Sequence, residues 1–403
     1  MKFMSKLSKD VLVGILLISC TIGSLIFANS PFGASYQGFW NHSVGGHPLS
    51  HWINDGLMAI FFLLIGLELK REFQEGELKS PKHAILPIAA AIGGMLFPAI
   101  FYLGFNWGLP SQNGFGIPMS TDIAFVLAII AILGSKVPKS LKVFLTALAV
   151  FDDLGAILII AIFYTSDFSF IYLAFTLLLF GILFFVSRFS KPKTVKGEKT
   201  LLFFLLSASI GLWILLMKTG IHATISGILV ALLIPSHSYI KTSVATTPVL
   251  APAKRLEHCL HNPVYLVILP LFILANTAIP LHDVFPQSQF NFNNITQIIN
   301  EPHVAGIASG LFFGKPLGIL SGVFIAVRFN WARIPQDLRF NHLVGAGFLG
   351  GIGFTMAIFV TSLSFSEQAL INSAKLTILL VSLTAALVGA SILSINSKRN
   401  YPL

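Results

Sequence analysis

Charge is what this sequence has least of. Only 10% of its 403 residues are Asp, Glu, Lys or Arg, against 55% hydrophobic, and the mean hydropathy is +0.82. A soluble domain is about one-quarter charged, so the shortage excludes water as the solvent for most of this surface. Acidic residues are the scarcer kind, 16 against 26 Lys and Arg. Cysteine is nearly missing, and Cys20 in the first apolar run and Cys259 near the cytoplasmic end of the ninth sit too differently to form a disulfide. Long polar stretches are missing too. The longest, about 29–51, 188–200, 235–260 and 281–303, are too short to bury a core of their own.

What is present instead is a succession of apolar runs. A bilayer core about 30 Å thick is crossed by roughly 20 apolar residues in a helix, and about twelve such runs recur here. The expected fold is therefore an all-α integral membrane protein, one polytopic membrane domain over residues 1–403. The opening MKFMSKLSKD followed by apolar residues also fits a cleaved signal peptide, but the run to Ala28 is long for one. Between the first two runs, Tyr36 to His51 holds four turn-forming residues, Gly38, Gly45, Gly46 and Pro48, which fit an external hairpin or a disordered loop.

The net charge of +10 and pI near 9.6 are the usual footprint of a nucleic-acid binder. Their placement excludes that partner. When the runs alternate from a cytoplasmic N-terminus, Lys218 and Lys375 alone fall outside, Lys315 lies within a run, and every other Lys and Arg falls inside. This is the positive-inside pattern of a multi-pass protein with both termini cytoplasmic.

Two runs are poor straight helices. The fourth follows Gly114, Gly116 and Pro118, and the eleventh carries Gly345, Gly347, Gly350, Gly351 and Gly353. Irregular backbone at membrane depth is tolerated where it lines a cavity or is buried in protein. If residues of about 84–163 and 304–396 are inverted-topology repeats, the interrupted helices occupy corresponding places, which points to a transport site there.

Ionisable side chains inside a membrane cost about 2.5 to 3.5 kcal/mol on insertion scales, so each is a functional candidate. They are Asp55 in WINDGLMAIFF, Asp122 in MSTDIAF, Asp152 and Asp153 in LAVFDDLGAI, and Lys315 in FFGKPLGI. Neighbours on a helix point about 100° apart, so one of the Asp pair can face a cavity while the other meets a partner, for which Lys315 is the natural choice. Hard oxygens suit Na⁺ or Li⁺. Desolvation and a like charge next door disfavour the ionised carboxylate, so the same oxygens can hold a proton or a metal ion, and competition between the two is enough for exchange. Asp122 and Lys315 also fit a purely structural role at helix termini. Asp55 fits a helix bridge, and His222 a polar packing residue.

A second constellation lies at the cytoplasmic ends of runs two and nine. Glu68, Arg71 and Glu72 share one helix face at i, i+3 and i+4, and Glu257, His258 and His261 lie together in KRLEHCLH. Histidine titrates in the physiological range, so the cluster fits a pH sensor, and equally a solvated charged surface.

Taken in order, GLELKRE, STDIAF, AVFDDLGAI, KTGIHATISG, KRLEHCLH, GKPLGI and GGIGFTMAIF resemble the NhaA-type sodium/proton antiporters of bacterial inner membranes, from about Trp52 to Leu363. Inverted repeats are a known property of that family. The resemblance implies twelve helices and electrogenic, pH-regulated export of Na⁺ or Li⁺ against protons, for sodium and pH homeostasis and without a cofactor. It implies Asp152 and Asp153 as ion and proton carriers, with Thr121 a further sodium ligand. Thr121 and Asp122 would sit where extended chains cross, and Lys315 would pair with Asp152. Glu68, Arg71, Glu72, Glu257, His258 and His261 would sense pH, with Asp55 and His222 linked to activity or pH response. The family forms a homodimer through a hairpin in the segment that is Asn29 to His51 here, which is short and Gly/His-rich. The stretch from Leu281 to His303 is long for the family. Two other classes compete: a sodium-coupled solute symporter of similar fold, and an intramembrane aspartyl protease, which would show YD and GxGD where this chain has TD and DD.

Overall fold

The fold was analysed in a computed structural model, which describes residues 9–76, 79, 81–165, 168–190, 192, 194–238, 251–284 and 299–397. Most of these are helical, as they must be where no water is at hand to satisfy backbone groups. In chain order the helices are α1 (Lys9–Ala28), α2 (Gly33–Trp40), α3 (Leu49–Glu75), α4 (Pro81–Asn106), α5 (Ile123–Leu133), α6 (Lys139–Phe163), α7 (Phe170–Phe189), α8 (Val195–Thr219), α9 (Ile225–Leu233), α10 (Pro252–Asn276), α11 (Pro302–Arg328), α12 (Phe340–Gly350), α13 (Phe354–Ser364) and α14 (Gln368–Ser397). Among the described residues ten helical segments are long and apolar enough to cross a membrane, or eleven if α12 and α13, bent by 43° at their break, count as one. The eighth expected span is represented only by α9, nine residues long. Of the stretch expected to be long for the family, residues 285–298 lie outside the described residues.

Both expected interruptions appear. Residues Pro110–Met119 form a 3-10 stretch, and Ser120 and Asp122 are extended before α5 begins. The second break separates α12 from α13 at Gly351–Gly353. Three wider π-type turns were not expected: Trp52–Leu57 in α3, Val264–Ile268 in α10 and Gly310–Gly314 in α11. Two lie just ahead of prolines, Pro270 and Pro316, whose missing N–H and bulky ring break the regular ladder to Leu266 and Phe312 four residues earlier. Such turns often mark functional positions, and here they carry Asp55 and immediately precede Lys315.

The chain forms two compact units, residues 1–40, 77–159 and 273–403 in the first and 41–76 and 160–272 in the second. In the first unit α4 and α11 pack almost backbone to backbone. A Cβ at Gly318 would strike Gly93 O, one at Gly322 would strike Ala89 O, and one at Gly314 would strike Pro98. Lipid offers apolar side chains no reason to leave it, so small residues that admit close van der Waals contact hold membrane helices together.

In the second unit α3 and α9 meet in the same way through Gly66 and Gly227, against Ala231 and Ala59. A core of Leu63, Leu67, Leu212, Leu216, Val230 and Ile234 surrounds that contact. Lys70 reaches the C-terminal end of α9, its Nζ donating to Ala231 O (3.2 Å), Leu232 O (3.1 Å) and Ile234 O. These carbonyls have no partner within their own helix and form its negative pole. Ahead of α3, Ser43–Val44 and His47–Pro48 pair as a two-stranded hairpin around Gly45 and Gly46, both at positive φ. Trp52 Nε1 donates to Val44 O at 2.8 Å and ties the hairpin to the helix.

Candidate functional site

The two interruptions of the first unit cross. Asp122 N–H donates to Ile352 O at 2.6 Å, which joins the extended segment before α5 to the break between α12 and α13. Asp122 then caps two helices at once. Its Oδ1 accepts from Ala124 N (3.1 Å) and Phe125 N (3.3 Å) at the start of α5. Its Oδ2 accepts from the Thr355 N–H (3.0 Å) and the Thr355 hydroxyl at the start of α13. Four donors and two positive helix ends make this carboxylate the shared cap of both helices.

Asp152 is built differently. It is fully buried, and its Oδ2 accepts from Lys315 Nζ and from the Thr121 hydroxyl, both at 2.6 Å, while its Oδ1 accepts no hydrogen bond from the described residues. Lys315, also fully buried, donates in addition to Met119 O, the carbonyl that ends the 3-10 stretch. The ammonium thus serves both uses open to it on sequence grounds, as partner of Asp152 and as counter-charge at a helix C-terminal end.

Thr121 Oγ1 lies 2.6 Å from Asp152 Oδ2 and 2.7 Å from Gly350 O. A hydroxyl has one hydrogen and so donates to one of them at a time. When Asp152 is ionised that hydrogen belongs to the carboxylate. When Asp152 is protonated it can donate to Thr121, whose own hydrogen then turns to Gly350 O. Asp153, the next residue on α6, is 1% exposed and exerts a Coulombic influence on the Lys315 ammonium. Gly350 keeps the place open, since a Cβ there would meet Ile319 and approach Lys315 and Thr121. Two buried carboxylates with a hydroxyl and nearby carbonyls form a hard-oxygen set suited to a small cation. No group of three or more His, Cys, Asp or Glu fit to hold a metal ion occurs among the described residues.

The other candidates belong to the second unit. Arg71 bridges Glu72 (Nη2 to Oε1, 2.9 Å) and Glu257 (Nε to Oε1, 3.0 Å), and Glu68 is within electrostatic reach of all three. His258 and His261 are exposed on α10, the His261 ring lying 4.7 Å from that of Tyr265. Asp55 sits between two imidazoles, His51 Nε2 at 3.7 Å and His222 Nδ1 at 3.8 Å, and its backbone carbonyl accepts from Trp213 Nε1 at 3.2 Å. Sequence reasoning missed Thr355, because threonine in an apolar span is ordinary. It also missed Met119 O, Gly350 O and Ile352 O, because no side chain announces a backbone oxygen.

The profile of the family described as Na+/H+ antiporter 1 matches residues 4–393. The chain is similar to a Na(+)/H(+) antiporter NhaA of Dechloromonas aromatica, 49% identical over 377 residues, 93% of this chain and 91% of the relative. It is 47% identical to one of Flavobacterium psychrophilum over 376 residues, 93% and 91% of the two chains, and 45% identical to one of Vibrio cholerae serotype O1 over 386 residues, 95% and 94%.

Proposed function

This chain belongs to the Na+/H+ antiporter 1 family, and from that premise we propose that it exchanges Na⁺ or Li⁺ for protons at Asp152 and Asp153. It is a secondary transporter, a multi-pass protein of the bacterial inner membrane, with sodium ions and protons as its substrates. Membership displaces the symporter and protease readings.

The observation that carries the proposed site is the divided Asp152 carboxylate, with one oxygen held by Lys315 and Thr121 and the other accepting no hydrogen bond from the described residues. An entering cation takes that second oxygen together with Asp153 and, once Thr121 turns, its hydroxyl oxygen. The Lys315 ammonium stays on Oδ2 or yields it as the cation's charge arrives. An arriving proton neutralises the same carboxylate and expels the cation. Exposing the site alternately to the two sides turns this competition into antiport. If two protons leave for each ion bound, the cycle moves net charge. Asp122 is an anchor in this scheme, neutralising the helix ends beside the site.

The remaining parts of the reading rest on separate observations. The repeats 84–163 and 304–396 are supported by the crossing of their two breaks at Asp122 and Ile352. Cytoplasmic termini are supported by the distribution of Lys and Arg. A homodimer through the 29–51 segment draws support from the hairpin found there. Control of activity by pH is supported by the Arg71, Glu72 and Glu257 ion pairs joining α3 to α10.

Everted membrane vesicles that have accumulated protons, read with a pH-sensitive dye, test the exchange. Adding Na⁺ releases the accumulated protons in the wild type and fails to do so in Asp153→Asn or Asp152→Asn. Full release in either variant contradicts the assignment. In proteoliposomes, electrogenic exchange speeds up when potassium and valinomycin remove the opposing membrane potential, whereas electroneutral exchange does not.

A further inference from the structure

The first turns of α10 carry Lys254, Arg255 and Glu257 ahead of His258 and His261, and each of the first three is tied to another helix of the same unit. Lys254 pairs with Glu75 at the end of α3. Glu257 receives Arg71. Arg255 Nη2 pairs with Glu198 in the first turn of α8.

Glu198 stands apart from the other acids by its burial. Its side chain is 2% exposed, against 49% for Glu75. A buried carboxylate is costly unless it is paired and hydrogen-bonded, and Glu198 is both: it takes Arg255 and also the Ser238 hydroxyl. Ser238 lies just after α9 and Arg255 just inside α10, while Ala253 N–H donates to Pro235 O at 3.2 Å. One carboxylate therefore fixes the chain leaving α9 and the chain entering α10 to the start of α8. It sits where a carboxylate is favoured, near the positive end of α8, whose first turn is capped by Thr194 Oγ1 accepting from Gly197 N at 3.1 Å.

We propose that the buried Glu198–Arg255 pair, fixed where α10 enters, sets through its two charges the pH at which the Glu257 cluster responds. This rests on the pH-control reading above. The groups facing Glu198 are Arg255 from α10 and His237, which lines the same crevice. Those facing Glu257 are Arg71, Glu72 and Glu68 from α3, with Lys254 and His258 on α10 itself. The pair biases this cluster through the sign of each charge. Without the negative member the local potential becomes more positive and protons leave at lower pH. Without the positive member they leave at higher pH.

The test is the pH profile of Na⁺/H⁺ exchange in everted vesicles carrying the full chain. Glu198→Gln moves the midpoint to lower pH and Arg255→Gln moves it to higher pH, each by about half a unit, the scale of one charge acting across roughly a Debye length near a surface. The apparent KM for Na⁺ on the plateau of each profile stays within about twofold of wild type, well under the tenfold that 1.4 kcal/mol brings, and Glu198→Asp restores most of the midpoint. Opposite displacements are something loss of a structural anchor cannot produce. Midpoints that coincide with wild type, or that move in the same direction, overturn the proposal. Should Glu198→Gln fail to accumulate in the membrane, Glu198→Asp and Arg255→Gln carry the test, the first keeping the wild-type midpoint and the second raising it; any other pairing overturns the proposal. Glu257→Gln and His261→Ala serve as controls. If neither moves the midpoint, pH control by this cluster fails as a whole; if they move it while Glu198 and Arg255 variants do not, only the present inference fails.

Discussion

Asp122 and Asp152 are the same amino acid at nearly the same burial, 3% and 0% exposed, in different surroundings. Asp122 has both oxygens filled by donors from two helix ends, whereas among the described residues nothing donates to one oxygen of Asp152. Thr355→Val removes one of the four donors to Asp122 and costs about 1.5 to 3 kcal/mol, as for a hydrogen bond to a charged group. The purified transporter then unfolds at lower temperature while the exchange it retains keeps the wild-type pH profile. The acids and Lys315 were legible in the sequence because a charge within an apolar run stands out. The helix-end place of Asp122 and the pairing of Asp152 with Lys315 were legible too; the groups around them, Thr355, Met119 O and Gly350 O, were not, because they are brought in from distant parts of the chain.

At the scale of helices, the two interruptions were legible because Gly and Pro punctuate an apolar run wherever they fall. The π-type turns were not, since a widened turn changes which residues share a face without changing composition. The pairing of α4 with α11 was equally hidden, because the glycines of each become meaningful only opposite one another. Gly318→Ala would drive its methyl group into Gly93 O, and overpacking of this kind costs typically about 1 to 3 kcal/mol; it is read as a loss of folded, detergent-stable protein. Lys70 was passed over in the sequence as one basic residue of a cytoplasmic end, yet it satisfies three carbonyls at the end of α9. Lys70→Met leaves those carbonyls with weaker partners, costing about 1 to 3 kcal/mol, seen as a lower unfolding temperature with an unaltered KM for Na⁺.

For the molecule as a whole, scarcity of charge is what the proposed mechanism depends on. Among the described residues, ten spans and a bent pair are long and apolar enough to cross a membrane, and in such surroundings a carboxylate must be neutralised by something. A proton and a sodium ion are alternatives for that place. In the pH range where the pair is protonated, the apparent KM for Na⁺ rises about tenfold for each unit the pH falls if one proton competes, and about a hundredfold if two compete as a coupled pair. Na⁺ dependence of exchange, followed at several pH values with both faces of the membrane held at the same pH, distinguishes these slopes.

The most direct measurement is to count protons released when Na⁺ binds to the purified protein, by calorimetry in two buffers of different ionisation enthalpy. Competition at Asp152 and Asp153 requires that Na⁺ binding expel protons and that Asp152→Asn and Asp153→Asn each reduce the number expelled. Sodium binding that releases no protons, or releases them undiminished in both variants, would contradict it.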